Sequence, residues 1–595
     1  MEVPMATLAD RLEALTLRAL EQIVGDSEAL AAQIAPTRDE KHGDYQCNAA
    51  LGLARRLGRN PRDIASSLAE AMLALDKSGL LETAEVAGPG FLNFRVCDQA
   101  LVEALQGVGE PAEPGGRRVV VDYSSPNIAK QMHVGHLRSS IIGDAVCRIL
   151  EHQGHEVIRQ NHVGDWGTQF GLLCAYLMDR GTSGSEVELG DLEALYREAQ
   201  ALAATDEAFH ERSRERVVAL HRGDEETLAT WRRIVATSVQ HIHQVYHRLG
   251  LLLTPEDMRG ESFYNPRLQA VVQELQDRFP AGSRPMEVVE DQGAVCVFLY
   301  DEQGQPRFKN TQDEAHPLLV RKSDGAFLYP TTDLAALSFR TRELQADWLV
   351  YVTDSRQALH FQMFFQAARE AGWVEERTLE HVTFGTVLGP DGKPLKTRSG
   401  ENVKLADLLE EAVDRAARLL EESERDPARR RGFSAEEKRD IAEAVGIGAV
   451  KYADLSQNRS SDYVFSFDRM LAMEGNTAPY LMYAYARIRS IQRRAGELSC
   501  SPTIFLDEVH ERRLAMHLAR LEETLDQVVQ GWRLNLLCEY LYVLSGLFMK
   551  FYENCPVLAA PTPQLRDSRL ALCEAAARVL KVGLGLLGLR VVERM

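Results

Sequence analysis

Asp122-Tyr123-Ser124-Ser125-Pro126-Asn127-Ile128-Ala129-Lys130-Gln131-Met132-His133-Val134-Gly135-His136-Leu137-Arg138-Ser139-Ser140 joins two segments of opposite periodicity. Ahead of it, Arg118-Val119-Val120-Val121 is a β-branched run that reads as a buried strand. Pro126 breaks the run, and Leu137, Ile141, Ile142, Ala145, Ile149 and Leu150 then recur at helical spacing. Gly154 closes that helix, and His155–Arg159 reads as the next strand. The pattern is a βαβ unit, whose first turn is where an open parallel sheet binds a nucleotide. The helix N-terminus there offers unpaired N–H groups and positive potential to phosphate. Gly135 lets the backbone come close, and His133 and His136 can hydrogen-bond phosphoryl oxygens. Two other readings stay open. A histidine pair at i, i+3 can bind a metal, although no third ligand at a metal-site spacing is visible, and either histidine can cap the helix.

A chain of 595 residues has room for several domains, each with its own core. Hydrophobic content of 45% and charged content of 26% are ordinary for a soluble globular protein. Nine cysteines without a CxxC pair argue against a zinc ribbon or a disulfide framework and fit a reducing compartment. Glu2, Asp10 and Glu13 interrupt the N-terminus, which lacks the apolar core of a signal peptide, and no apolar run approaches transmembrane length. The expectation is a cytoplasmic protein with no membrane partner. The net charge of −19 governs solubility, whereas phosphate binding needs only local basic surface. Charge alone does not decide whether RNA is a partner.

A Gly/Pro-rich stretch at Gly107–Gly116 marks a first boundary. Ahead of it, Ala84–Phe94 reads as strand, turn, strand. From 117 an α/β pattern begins, interrupted by polar helical sequence at about 181–240 and by a β-rich stretch at about 266–327. The parallel strands resume at Ala326–Tyr329, Trp348–Val352 and His381–Phe384. After Gly400 the chain is helical, and residues 471–595 read as a helix bundle. His241, His243 and His247 invite a metal reading, but residues i and i+2 on a helix point apart, and no metal site is expected.

His133-Val134-Gly135-His136 resembles the HIGH signature of class I aminoacyl-tRNA synthetases, with Val for Ile. Ser124–Asn127, His136–Ser139 and Gly164-Asp165-Trp166-Gly167-Thr168-Gln169-Phe170-Gly171 are similar to arginyl-tRNA synthetases in particular. So are Lys41–Asn48, Gly88–Phe94 and the terminal Leu586–Met595. The resemblance implies a doubly wound parallel, Rossmann-like α/β catalytic domain with insertions over 117–400, and a helical linker over 401–470. It also implies an α+β accessory domain over 1–112 and an all-α anticodon-binding domain over 471–595.

The activity so implied is arginine–tRNA ligation, with arginine, tRNA(Arg) and ATP as partners and magnesium on the ATP phosphates. A monomer is expected. ATP falls to His133, Gly135, His136 and to Lys393, Lys396 and Arg398 of a loop that departs from the KMSKS signature. His133, His136, Lys130, Lys396 and Arg398 would be catalytic, neutralising phosphate charge. Asp122, Asn127, Tyr329, Asp333 and Gln357 would hold arginine, whose planar fork favours bidentate acceptors. Asp333 also reads as a helix N-cap. Phe91, Asn93, Tyr480, Tyr483, Arg487 and Met595 would touch tRNA, since aromatic and basic groups suit splayed bases, though the aromatics read equally as core. The alternatives are a nucleotidyltransferase acting on a small molecule, and a catalytically inactive synthetase-like RNA-binding protein.

Overall fold

Local chemistry sets the first helix, where the Thr7 side chain accepts from Asp10 N and Gly25 ends the helix in the left-handed region. The structure is a computed structural model that describes all residues except 1–6, 26–30, 38, 181–188, 398–401, 428–429 and 497–502. It contains two units. Residues 1–113, 472–585 and 590–595 form the first, and residues 114–471 and 586–589 the second.

The first unit begins with α1 (Leu8–Val24), α2 (Ala49–Leu57), α3 (Pro61–Leu75) and α4 (Asp98–Leu105). They accompany an antiparallel sheet of β1 (Ile34–Pro36), β2 (Tyr45–Cys47), β3 (Leu81–Ala87) and β4 (Phe91–Val96), in the order β1-β2-β4-β3. The hairpin expected at 84–94 is β3–β4, turned by Gly88 and Gly90 at φ of 52° and 140°.

The second unit is built on four parallel strands: β5 (Arg118–Asp122), β6 (Glu156–Gln160) and, far downstream, β10 (Trp348–Asp354) and β11 (Thr378–Phe384). Their order is β11-β10-β5-β6. From β5 the chain first winds one way to β6 and later returns on the other side, so the sheet is doubly wound with its switch point between β5 and β10. Helix α5 (Val134–His152) connects β5 to β6.

The first interruption of the sheet is helical, comprising α6 (Thr168–Asp179), α7 (Leu189–Thr205), α8 (Glu207–Arg222) and α9 (Glu225–Leu249). The second holds an antiparallel sheet of β7 (Met286–Asp291), β8 (Ala294–Leu299) and β9 (Leu318–Arg321). It is preceded by α10 (Glu261–Arg278), where the sequence reading expected β structure from 266. Leu268, Val271, Val272 and Leu275 are buried at helical spacing, which decides the matter. Ala326–Tyr329 is not a strand either. Leu328 is an extended N-cap, and Tyr329 with Pro330 opens α11 (Tyr329–Arg342), since proline is tolerated in a first turn. Helix α12 (Ala358–Glu370) then leads to β11. Residues 401–470 contribute α13 (Leu405–Arg425), α14 (Ala435–Leu455) and α15 (Phe467–Met470) within this same unit.

The first unit resumes with α16 (Ala478–Ala495), α17 (Val509–Leu518), α18 (Leu521–Gly531), α19 (Leu534–Asn554) and α20 (Pro563–Leu586). Helix α19 reaches the length and apolarity of a membrane span, which the sequence reading did not anticipate. Its Leu537, Leu541, Leu544, Phe548 and Phe551 are buried within the protein, as in a core helix.

Two buried pairs tie α5 and α14 together. Arg138 faces Asp454 at 3.1 Å, both side chains 1% exposed, and donates from Nη1 to Ser461 O at 3.0 Å. Burial raises the Asp454 pKa against the pull of Arg138. Lys451, fully buried beside Asp144, donates to the carbonyls of Leu249 and Gly588 at 2.7 and 2.6 Å, which anchors the turn at 586–589.

Replacing Asp454 by Ala strands the Arg138 charge and is expected to cost about 3–5 kcal/mol. The cost is measurable as a lower urea midpoint for the second unit at unchanged slope.

Burial holds His381 (stacked on Phe361 at 4.0 Å) and His517 (stacked on Tyr540 at 4.3 Å) down to a pKa of about 4. Each is neutral when folded but takes up a proton below about 6.5 when unfolded. Stability is therefore complete above that pH and is expected to fall by about 1.4 kcal/mol per pH unit for each histidine as pH drops toward 4. Urea titrations at stepped pH would show it, and His381→Asn should flatten the slope of the second unit.

Candidate active site

Strand β5 ends at Asp122, in register with Tyr351 of β10 and Gln160 of β6. The segment joining it to α5 takes an unusual path, because Ser124, Ser125 and Ala129 have φ of 73°, 47° and 66°. Hydroxyl and amide groups hold it there. Ser124 N donates to Ser139 Oγ at 2.9 Å, and Ser124 Oγ lies 2.8 Å from Ser140 Oγ and 2.7 Å from the Tyr246 hydroxyl. Asn161 donates to the same tyrosine at 3.0 Å and accepts from Ser125 N at 3.0 Å. Ala129 N donates to Ser238 Oγ at 3.1 Å. The block Gly164–Gly171 folds onto this loop through Ile128 N to Gly164 O and Gly164 N to Pro126 O. A Cβ at Gly164 would stand 2.4 Å from Asn127 Oδ1, so the glycine makes room for that side chain.

His133 is the N-cap of α5. Its Nδ1 accepts from Gly135 N at 3.0 Å, and His136 Nδ1 accepts from His133 N at 3.1 Å. A ring that accepts at Nδ1 carries its proton on Nε2 when neutral. Burial, then the charge of Lys130, lowers the His133 pKa. Burial, then His133, takes His136 down to about 3. Both rings are therefore neutral at physiological pH with Nε2–H free to donate. The cap reading and the phosphate reading describe the same geometry: capping fixes the tautomer that an anion requires.

The basic loop is tied to this helix start by backbone. Val134 N donates to Val403 O at 3.0 Å and Leu405 N to Met132 O at 2.9 Å, with His133 opposite Lys404. The other leg is fixed by Leu395 N to Val387 O and by Gly389 N to Lys393 O, and Lys396 lies across from Asn402. Lys393 and Lys396 are exposed. Arg398 lies outside the described residues. Lys130 is exposed, 5.8 Å from the Tyr196 ring.

The residues expected to hold arginine come from the C-terminal edge of β5 and β10 and the segments that follow. Asn127 and Gln357 are exposed, and Tyr329 is 62% exposed. Asp122 is already engaged: its Oδ2 is 2.7 Å from Nη2 of Arg340, whose side chain is 0% exposed, and its Oδ1 accepts from Ser125 Oγ at 3.2 Å. Asp333 accepts from His360 Nε2 at 2.6 Å. It is not an N-cap, since α11 starts four residues earlier. Glu261 lies close enough to Asp333 to feel its charge. Burial, then Asp165 and Asp333, pushes its carboxyl up to about 7. Arg340, Tyr246, Ser238 and Glu261 escaped the sequence reading because nothing local marks them. His360 had a signal, since it follows Gln357 by three residues and so lies on the same helix face.

In the first unit, Tyr480 and Tyr483 are half-buried on α16. Tyr480 meets Tyr542 with ring centroids 5.8 Å apart, and Arg487 lies 5.2 Å over the Tyr552 ring. Tyr542 and Tyr552, both on α19, carry no local signal that would single them out, and Tyr542 is exposed. Phe91 is half-buried, whereas Asn93 is buried in mid-strand, paired with Gln46 and Glu85. Met595 is half-buried.

The family description "tRNA synthetases class I (R), catalytic domain" matches residues 97–467, "Arginyl tRNA synthetase N terminal domain" matches 10–96, and "DALR anticodon binding domain" matches 481–595. The arginine–tRNA ligase of Thermosynechococcus vestitus is 47% identical over the whole of both chains. That of Azotobacter vinelandii is 48% identical over 99% of this chain and all of its own. Among solved structures, arginyl-tRNA synthetase from Plasmodium falciparum superposes with a TM-score of 0.81 at 29% identity, covering both chains fully. The Thermus thermophilus enzyme gives 0.81 at 26% identity, over 99% of this chain and all of that one. With three family descriptions matching its catalytic, N-terminal and anticodon-binding regions, and relatives 47–48% identical over at least 99% of its length, this chain belongs to the arginyl-tRNA synthetase family.

Proposed function

We propose how this chain carries out arginine–tRNA ligation, the reaction for which its relatives are named. The observation that carries the reading is the pair of neutral histidines at the start of α5, each with Nε2–H free, with the basic hairpin fixed to the same backbone. In the first step a carboxylate oxygen of arginine attacks the α-phosphate of ATP. The new O–P bond forms as the bond to the β-phosphate breaks, giving arginyl-adenylate and pyrophosphate. The nucleophile is already ionised, so the protein aligns reactants and stabilises charge on the phosphates. His133 and His136 donate to the triphosphate, the α5 N-terminus adds its dipole, and Lys130, Lys393, Lys396 and Arg398 supply cations. Being neutral, the histidines donate without competing for the carboxylate. In the second step a ribose hydroxyl of the terminal tRNA adenosine attacks the adenylate carbonyl and AMP leaves.

Asn127, Tyr329, Asp333 and Gln357 hold arginine, with Asp122 at the rear of the pocket. Phe91, Asn93, Tyr480, Tyr483, Arg487 and Met595 are assigned to tRNA, with Tyr542 and Tyr552 extending the aromatic surface. Magnesium is expected to arrive on the ATP phosphates. Among the described residues, no group of three or more His, Cys, Asp or Glu is placed to hold a metal ion, so phosphate oxygens and water would ligate it. We infer a cytoplasmic monomer that activates arginine only with tRNA bound. A nucleotidyltransferase for small molecules has no use for an anticodon-binding domain, and the intact histidine pair does not suit an inactive RNA binder.

ATP–pyrophosphate exchange, run with each amino acid with and without tRNA, should respond to arginine alone and only when tRNA is present. Exchange with another amino acid would overturn the assignment. His136→Ala should lower that exchange about 100- to 1,000-fold. Its tRNA affinity, measured by filter binding, should stay near wild type.

A further inference from the structure

Asp333 and Tyr329 stand one turn apart on α11, and a single side chain of α12 reaches both. His360 Nε2 lies 2.6 Å from Asp333 Oδ2, and its ring meets the Tyr329 ring edge-on with centroids 4.7 Å apart. Behind it, the rings of Phe361 and Phe364 lie 5.6 and 5.1 Å away, so the imidazole is wedged in place. Its side chain is 13% exposed, and that of Asp333 is 24% exposed. A carboxylate accepts only, so His360 Nε2 donates to it. Asp333 Oδ1 has no hydrogen-bond partner among the described residues. Asp122 differs, because both of its oxygens are engaged, one by buried Arg340 and one by Ser125.

We propose that His360 is a positioning residue for amino-acid selection: it holds Asp333 by one oxygen and Tyr329 by its ring, leaving Asp333 Oδ1 aimed at the guanidinium of arginine. This rests on the reading that Asp333 and Tyr329 contact the arginine side chain. A guanidinium fork is rigid and planar, so an acceptor rewards it only when its own plane is fixed. A free aspartate rotates about two torsions, and a donor on Oδ2 removes that freedom. The choice of donor matters as well. Lysine or arginine at position 360 would place a permanent cation against the carboxylate, in competition with the guanidinium of the substrate. With Asp122 occupied, Asp333 is the one of these two acids still able to accept the fork.

The test uses the full-length protein with tRNA(Arg), measuring ATP–pyrophosphate exchange at varied arginine and varied ATP. His360→Leu keeps bulk without a donor, and His360→Asn keeps an amide too short to reach Asp333. Both should raise KM for arginine about 10- to 100-fold. Neither should move KM for ATP or change kcat by more than about twofold. His360→Gln, whose amide nitrogen reaches the place of Nε2, should recover most of the loss. His360→Leu or His360→Asn with wild-type KM for arginine would overturn the proposal. So would His360→Gln no better than His360→Asn, or equal rises in both KM values. Asp333→Asn separates the two levels. If it raises KM for arginine while the His360 variants do not, the positioning role alone falls. If Asp333→Asn also has no effect, the reading of Asp333 falls and takes the proposal with it.

Discussion

Left-handed backbone at Ser124, Ser125 and Ala129 costs on the order of 1–3 kcal/mol at each residue, and the site exists only because buried hydroxyls offset that cost. The contorted path carries the chain from the end of β5 to the start of α5 with His133 as the cap. Ser139 and Ser140 of α5, Asn161 after β6, and Tyr246 and Ser238 of α9 supply the bonds that hold it. A relaxed loop would leave the two histidines without their fixed tautomers. The helical insertion therefore supports the loop ahead of the histidine pair through α9, although no residue of that helix is assigned to a substrate.

The two acids assigned to arginine are held in different ways. Asp122 ends β5 and Asp333 lies on α11, and their burial and partners differ. Asp122 neutralises Arg340, a cation with no access to water. Asp333 accepts from the His360 imidazole through one oxygen, and its other oxygen has no hydrogen-bond partner among the described residues. Glu261, raised to about 7 by burial and by Asp165 and Asp333, adds a further acid that a cation nearby would ionise.

The parts of this architecture that were legible in the sequence are those written in neighbouring residues. Val119–Val121 and the helical spacing of Leu137 to Leu150 mark β5 and α5, and the strands at 348 and 381 are short apolar runs of the expected kind. The reading failed where one local signal competed with another. Phe327 and Leu328 look like strand residues, yet Pro330 belongs to a helix start. The β-rich stretch starts later than 266, because Leu268 to Leu275 follow helical periodicity and belong to α10. Helix α19 is the reverse case: its apolar length is written in the sequence, and the structure adds that Leu537, Leu541 and Phe548 lie on a buried face. Arg340, Tyr246 and Ser238 could not be found at all. Their roles depend on contacts with residues more than a hundred positions away, and an arginine or serine within a helix carries no sign of them.

The hairpin that carries Lys393 and Lys396 is closed at both feet, by Leu395 against Val387 and by Val403 against Val134. The backbone flanking its cations is thus confined, on one side against Val387 and on the other against the histidine cap, before any substrate arrives. Confinement of that kind acts as a high local concentration of positive charge, and the entropy of gathering it is lost on folding rather than on binding. A short tethered loop can then tolerate changes in the identity and order of its cations, because proximity does not depend on any one of them. A signature that has drifted from KMSKS is what such tolerance would permit.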